Sequence, residues 1–297
     1  MKILITGGTG LIGRAFIERY HQHSYTLLTR DPHRARAAFE KCDLISSLGE
    51  LSSLDGFDAV INLAGEPVMG KRWSERQKER ICTSRWRITE QLVALFAASA
   101  KPPGVFLSGS AVGVYGSRGA GVIDEQTAIA QCDFPTRLCA QWEALAEQAD
   151  DFTRVVLLRT GVVLSARGGA LQKMLPAFKC ALGGRIGSGE QYMPWIALDD
   201  QLDAMDFLLR DECARGAFNL VSPTPQRNRD FIRTLAAQLK RPAVFPVPAA
   251  LLKILLGESS SLLLDSQRIV PTRLSELGFR FTYPELAPCL AKLLSAR

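Results

Sequence analysis

The first half of the chain alternates two patterns. Residues 3–6, 25–29, 58–63, 105–108 and 153–158 are short apolar runs, the length and uniformity of strands covered on both faces. Between them, residues 11–22, 74–99 and 135–148 repeat apolar positions at helical spacing, the second segment stopped by Pro102-Pro103. Strand alternating with helix in this way predicts an α/β fold with a doubly wound parallel sheet. Beyond Arg159 the pattern shifts to paired and clustered glycines (Gly168-Gly169, Gly183-Gly184, Gly187, Gly189) and then to prolines between Pro223 and Pro248. Residues 199–209 and 228–239 look helical, and 217–221 reads as one more strand of the main sheet. The expected division is therefore a nucleotide-binding domain over 1–165 with return elements around 199–235. A smaller cap, interleaved with it, takes 166–198 and 236–297.

The first apolar run ends in Gly7-Gly-Thr-Gly-Leu-Ile-Gly13 and opens directly into a helical segment. Glycines at this junction let the chain turn with positive φ at Gly7 and Gly8, let backbone N–H groups approach a pyrophosphate at Gly10, and let the helix pack on the strand at Gly13. The start of that helix offers unpaired N–H groups and the positive end of a dipole to phosphate. The loop residues Gly7, Thr9, Gly10, Leu11, Ile12 and Gly13 are the candidate dinucleotide contacts of a Rossmann domain. Asn62-Leu-Ala-Gly-Glu66 closes another strand, where the crevice at the carboxyl edge of such a sheet lies, and small residues there let backbone reach a nucleotide. Asn62 read alone is equally a turn-capping residue.

Which dinucleotide binds depends on the end of the second strand, where an acid selects NAD and an arginine accommodates the 2′-phosphate of NADP. Here it reads Thr29-Arg30-Asp31. Arg30 brings a planar, permanently charged donor fork and Thr29 a hydroxyl, which favours NADP, while the Asp31 carboxylate suits a free ribose hydroxyl.

With 36 basic and 30 acidic side chains among 297 residues, the charge excess suits a phosphorylated ligand and falls short of a nucleic-acid-binding surface. The seven cysteines are scattered without a Cys-x-x-Cys pair or a histidine-containing metal cluster, as expected of free thiols in a reducing cytosol. No apolar run reaches membrane-spanning length, since even 247–264 is cut by Lys253, Gly257 and Glu258. A cytoplasmic protein without metal, membrane or nucleic-acid partner is expected, and nothing in the pattern indicates an oligomer. The three histidines, His21, His23 and His33, fall in one region, which leaves no placed Ser/His/Asp set for hydrolysis.

The glycine loop, Asn62-Leu-Ala-Gly65, Ser108-Gly-Ser-Ala-Val-Gly-Val-Tyr-Gly116 and Trp195-Ile-Ala-Leu-Asp-Asp200 together resemble the extended short-chain dehydrogenase/reductase superfamily. Arg159-Thr-Gly-Val-Val-Leu164, Gly168-Gly-Ala-Leu171, Gly183-Gly-Arg-Ile-Gly-Ser-Gly-Glu-Gln191 and Leu262-Leu-Leu-Asp-Ser-Gln-Arg268 narrow the likeness to its epimerase/dehydratase branch, the epimerase-family proteins of the YfcH type. The resemblance implies an NADP-binding Rossmann domain with a small C-terminal domain over the nicotinamide end. It implies Thr29 and Arg30 at the adenosine phosphate, Leu63, Ala64 and Gly65 along the nucleotide, and Glu79 and Arg85 near the cofactor.

The wider superfamily works through a Tyr-x-x-x-Lys pair, in which the lysine lowers the tyrosine pKa for proton exchange with a substrate alcohol or carbonyl. None of the five tyrosines here is followed by lysine four residues later. Aligned through Glu143, Pro135 stands at the tyrosine position and Cys139 at the lysine position. Pro135 suits a helix start, and Cys139 with Trp142 suits a packing face. Ser110 is the counterpart of the substrate-orienting serine and the candidate catalytic residue, with Tyr115, Arg159 and Arg185 as further polar candidates. An NADP-dependent oxidoreductase or epimerase acting on a small carbonyl or sugar-like substrate is expected. The alternative is a non-catalytic NADP-binding sensor or partner-binding module.

Overall fold

The structure is a computed structural model and describes residues 1–295; Ala296 and Arg297, the end of the expected cap segment, lie outside the described residues. The strands are β1 (Lys2–Thr6), β2 (Ser24–Leu28), β3 (Asp43–Ile45), β4 (Ala59–Asn62), β5 (Val105–Ala111), β6 (Val122–Ile123), β7 (Arg154–Thr160), β8 (Val162–Leu164), β9 (Tyr192–Met193), β10 (Trp195–Ala197), β11 (Gly216–Leu220), β12 (Gln226–Arg227) and β13 (Arg268–Ile269). The helices are α1 (Leu11–Arg19), α2 (Pro32–Arg36), α3 (Glu75–Ala97), α4 (Phe134–Glu147), α5 (Gly169–Lys179), α6 (Leu198–Arg210), α7 (Asn228–Leu239), α8 (Ala249–Leu256), α9 (Ser261–Leu264), α10 (Thr272–Glu276) and α11 (Leu286–Ser295).

Seven strands form one parallel sheet in the order β11-β7-β5-β4-β1-β2-β3. The chain winds outward from β1 through β2 to β3, then returns to β4 on the other side and continues outward. The reversal between β1 and β4 is where an open α/β sheet leaves a crevice beyond its carboxyl ends. Thr6 pairs with Leu28 and with Asn62, so the glycine loop, Thr29-Arg30 and Leu63–Gly65 all leave the sheet at that edge.

Both faces of the sheet are covered, which is why its central strands carry apolar runs, with the polar residues gathered toward their carboxyl ends. On one face Ile3, Ile5, Leu107, Val156 and Leu158 pack with Phe16 of α1 and Leu202 and Met205 of α6. On the other, Leu4, Val60, Phe106, Val155 and Leu157 meet Leu92 and Phe96 of α3 and Ala146 of α4. A separate core joins Trp195, Leu171, Leu175 and Phe178 of α5, Phe231 and Leu235 of α7, and Leu290 of α11. Ile196 and Phe218 nevertheless belong to the core of the main sheet, so the chain crosses between the two layers more than once. No described helix is long and apolar enough to cross a membrane.

Candidate functional site

At the end of β1 the chain turns so tightly that side chains are excluded for different reasons at successive glycines. Gly7 has φ +69°, and a Cβ there would lie 2.5 Å from the carbonyl carbon of Leu63. Gly8 does not share the positive φ expected of it. It is confined instead by packing, since a Cβ would meet the Leu27 side chain at 2.4 Å. At Gly13 a Cβ would lie 2.6 Å from Gly8 Cα, so the first turn of α1 can seat on the loop only without one. Gly10 N–H donates to Gly7 O at 3.0 Å and Gly10 O accepts from Arg14 N–H at 2.9 Å. No side chain caps α1, so the leading N–H groups at Leu11, Ile12 and Gly13 precede the intrahelical ladder and suit an anion. Thr9 is exposed beside them, and Leu11 is half-buried against the Gly168-Gly169 turn.

The second predicted segment meets this loop directly. Leu63 N–H donates to Thr6 O at 3.1 Å and Ala64 N–H to Thr6 Oγ1 at 3.2 Å. Asn62 is fully buried: its side-chain oxygen accepts from Thr6 Oγ1 at 2.6 Å and its amide donates to Thr89 Oγ1 at 2.9 Å. Trp142 Nε1 also donates to Thr89 Oγ1, at 3.0 Å. Asn62 thus ties β4 to β1 and α3, Thr89 carries the link on to Trp142 of α4, and the turn-cap alternative does not apply.

Arg85 is held against the backbone rather than displayed on the α3 surface. Its guanidinium donates to the carbonyls of Ile81 and Glu66, lies 5.3 Å from the Trp142 ring centre, and would be 2.7 Å from a Cβ at Gly65. Burial pulls its pKa below the ordinary arginine value. Glu79, by contrast, stays exposed on α3 and makes no side-chain hydrogen bond or ion pair among the described residues, so the structure does not bring it into this cluster.

The adenosine end separates the two competing side chains. The Asp31 carboxylate accepts from Arg34 N–H at 2.9 Å and caps α2. Arg30 is exposed and makes no ion pair among the described residues. Thr29 is nearly buried, and its hydroxyl oxygen accepts weakly from Asp31 N–H at 3.4 Å.

At the other end of the crevice the polar residues are bonded to one another. Ser110 Oγ donates to Glu143 Oε1 at 2.6 Å. The Arg159 fork grips the same carboxylate through both oxygens, at 2.9 and 2.7 Å, and donates to the Tyr115 hydroxyl at 2.8 Å. That hydroxyl in turn donates to Asn219 Oδ1 at 2.7 Å. All five side chains are buried. Burial works against the charge on Arg159, yet its bonds to Glu143 and Tyr115 outweigh that and raise its pKa. Burial pushes the Tyr115 phenol up to about 12 despite Arg159, the opposite of an activated tyrosine.

Ser110 Oγ therefore spends its one donor on the Glu143 carboxylate. In the sequence Glu143 is legible only as an alignment anchor. The signals for the pair are a charged residue, Arg159, at the end of an apolar run and an acid on the buried side of the Trp142 helix. Pro135 lies in the first turn of α4, which Asp133 caps. Cys139 is buried, and burial pushes its thiol up to about 12. Neither can stand in for the missing pair. Arg185 lines a separate groove of about 280 Å³ with Arg229 and Arg233. Among the described residues no group of His, Cys, Asp and Glu is arranged to hold a metal.

Residues 3–240 match the NAD dependent epimerase/dehydratase family and residues 247–293 match a family described as Domain of unknown function (DUF1731). The chain is 37% identical to the chloroplastic epimerase family protein SDR39U1 homolog of Arabidopsis thaliana, over 99% of this chain and 87% of that protein. It is 35% identical to the epimerase family protein SDR39U1 of Mus musculus, over 99% and 100%. The crystal structure of human epimerase family protein SDR39U1 with NADPH superimposes with a TM-score of 0.92 at 33% identity, covering 99% of each chain.

Proposed function

The chain belongs to the NAD dependent epimerase/dehydratase family, and from that premise we propose that it holds NADP and moves hydride to or from a small carbonyl or sugar-like substrate. The carrying observation is the division of labour at the adenosine end. Asp31 is committed to α2, while Arg30 beside it makes no ion pair among the described residues and acts on the Glu66 carboxylate only at longer range, an arrangement suited to a 2′-phosphate. The NADPH in the human relative's structure supports the same choice.

The glycine cradle fits a pyrophosphate, because Cβ atoms at Gly7 and Gly13 would fill the turn and no side chain occupies the start of α1. Leu63 and Ala64 line the loop, and Arg85 across Gly65 brings a fixed positive charge to that wall. When bound, the nicotinamide supplies the hydride chemistry. The chain's part is to position the substrate and handle its proton. Ser110 Oγ retains lone pairs, so a substrate hydroxyl can donate to it while the serine proton passes to the Glu143 carboxylate. Arg159 holds that carboxylate in position through both oxygens.

A second reading, NADP held without turnover, is favoured by the completeness of the Ser110–Glu143–Arg159–Tyr115 bonding. The two separate in a rapid-mixing experiment that follows nicotinamide absorbance in NADPH-loaded protein against small aldehydes, ketones and sugar carbonyls. The oxidoreductase reading expects oxidation with at least one of them, slowed about a hundredfold or more in Ser110→Ala. Silence of folded, loaded protein across the panel contradicts it and leaves the binding module.

A further inference from the structure

We infer that the surface built by Leu182, the segment 244–247 and α8 docks on an anionic lipid bilayer, with α8 lying in the plane of the membrane. The inference goes beyond the proposed function and depends on neither cofactor nor turnover.

Five large apolar side chains, Leu182, Val244, Phe245, Ile254 and Leu255, are each more than half exposed, and elsewhere among the described residues only Val122 is. The backbone brings their segments together. Phe245 N–H donates to Gly183 O at 3.4 Å, Val247 N–H to Arg185 O at 2.8 Å and Gly187 N–H to Val247 O at 2.9 Å, so 244–247 runs beside the turn that carries Leu182. Pro248 then caps the start of α8, and none of the eight residues of that helix, Ala-Ala-Leu-Leu-Lys-Ile-Leu-Leu, is buried. A surface helix ordinarily seats an apolar stripe in the core and turns polar residues outward. α8 is apolar on nearly every side and seats none of its residues in the core, which marks a face that another phase or molecule covers.

Charge names the partner. From Leu239 to Gly257 the chain has Lys240, Arg241 and Lys253, all exposed, and no acid. Arg185 lines a groove of about 280 Å³ with Val244 and Pro246, and its guanidinium donates to Ser188 O at 3.1 Å without an ion pair among the described residues. The acids bordering this face are already taken: Glu190 by Arg227 and Arg229, Asp230 by Arg229 and Arg233, Glu258 by Lys78. Exposed leucine, isoleucine and phenylalanine among unpaired cations complement a lipid leaflet, apolar within and anionic at its headgroups. A second copy would set cation against cation. A partner helix would not seat in the groove, which is smaller than one turn of α-helix, roughly 400 Å³ for a cylinder about 10 Å across. Eight residues reach about 12 Å against a hydrocarbon core of about 30 Å, so α8 lies on the membrane. Lack of a spanning segment bears on crossing a bilayer, not on resting against one.

The test is co-sedimentation of purified wild-type protein with vesicles of phosphatidylcholine alone and of an equal mixture of phosphatidylcholine and phosphatidylglycerol, at low and at molar salt. Wild type is expected to bind the mixed vesicles at least about tenfold more tightly, a preference that molar salt removes. Ile254→Glu with Leu255→Glu is expected to weaken that binding about a hundredfold. Arg185→Gln with Lys253→Gln is expected to weaken it about tenfold and to leave binding to phosphatidylcholine unchanged. All four positions are exposed, so the melting temperature is expected to match wild type. Should the glutamates disturb α8, the glutamine pair and the salt arm still decide. No binding of wild type to mixed vesicles, or wild-type binding by both variant pairs, overturns the inference. So does either rival occupant seen without vesicle binding: a wild-type dimer in sedimentation velocity that the glutamate pair dissociates assigns the face to a second copy, and uptake of poly-glutamate assigns it to an acidic protein.

Discussion

The two ends of the crevice are built on opposite principles. At the glycine loop the chain withholds side chains: Gly7, Gly10 and Gly13 keep the turn bare, α1 starts without a side-chain cap, and Arg30 makes no ion pair among the described residues. At the end of β5, Ser110, Glu143, Arg159, Tyr115 and Asn219 satisfy one another inside the protein. Buried polar groups are costly unless paired, so the second end is internally complete while the first gains partners only from a ligand. Cofactor capture and fold stability therefore reside at different ends, and substitutions should separate them.

The sharpest separation is expected of Glu143→Ala. It leaves the Arg159 guanidinium buried without its carboxylate, and chemical denaturation should show a loss of about 3–5 kcal/mol, with NADPH affinity of the folded fraction preserved. Gly7→Ala should do the converse. Backbone strain at positive φ costs about 1–3 kcal/mol, and the clash with Leu63 displaces the loop, so fluorescence titration should show NADPH binding lost in protein that still folds. A Glu143→Ala protein of wild-type stability, or a Gly7→Ala protein of wild-type affinity, breaks the comparison.

This division also explains what can be read from the residues alone. Six strands of the main sheet announce themselves because burial on both faces enforces apolar runs, and the helices that cover it do so by their amphipathic period. The helix expected over 228–239 has those bounds in the structure, because an amphipathic period and a proline-rich flank mark its ends. β3 carries no such signal: it has three residues, begins with exposed Asp43 and sits at the sheet edge. α5 is hidden by Pro176 inside it. The glycine loop is a local motif and legible whole, whereas Glu143 and Arg159 lie on different elements and meet only in the folded chain. The competition between Arg30 and Asp31 is visible in sequence, but its resolution needs the capping bond from Arg34 N–H to Asp31.

Smaller effects refine the picture. Arg30→Gln should weaken NADPH about tenfold to a hundredfold, leave NADH nearly unchanged, and leave the melting temperature of the free protein where it is. Ser110→Ala removes one donor from a carboxylate that Arg159 still holds, so a stability loss of about 1 kcal/mol is expected. The least change is expected at Cys139, whose thiol burial pushes up to about 12. Since burial disfavours the thiolate, alkylation of native protein at mildly alkaline pH should label the exposed Cys132, Cys180 and Cys213 and spare Cys139. Rapid labelling of Cys139, read by peptide mass spectrometry, would show that this end is open after all.

The most direct test of the central claim is calorimetric titration of the purified wild-type chain with NADPH and with NADH. Saturable NADPH binding at least about tenfold tighter than NADH is the result expected from a bare glycine turn with Arg30 beside it. Equal affinities would contradict the role given to Arg30, and no uptake of either nucleotide would contradict the role given to the loop.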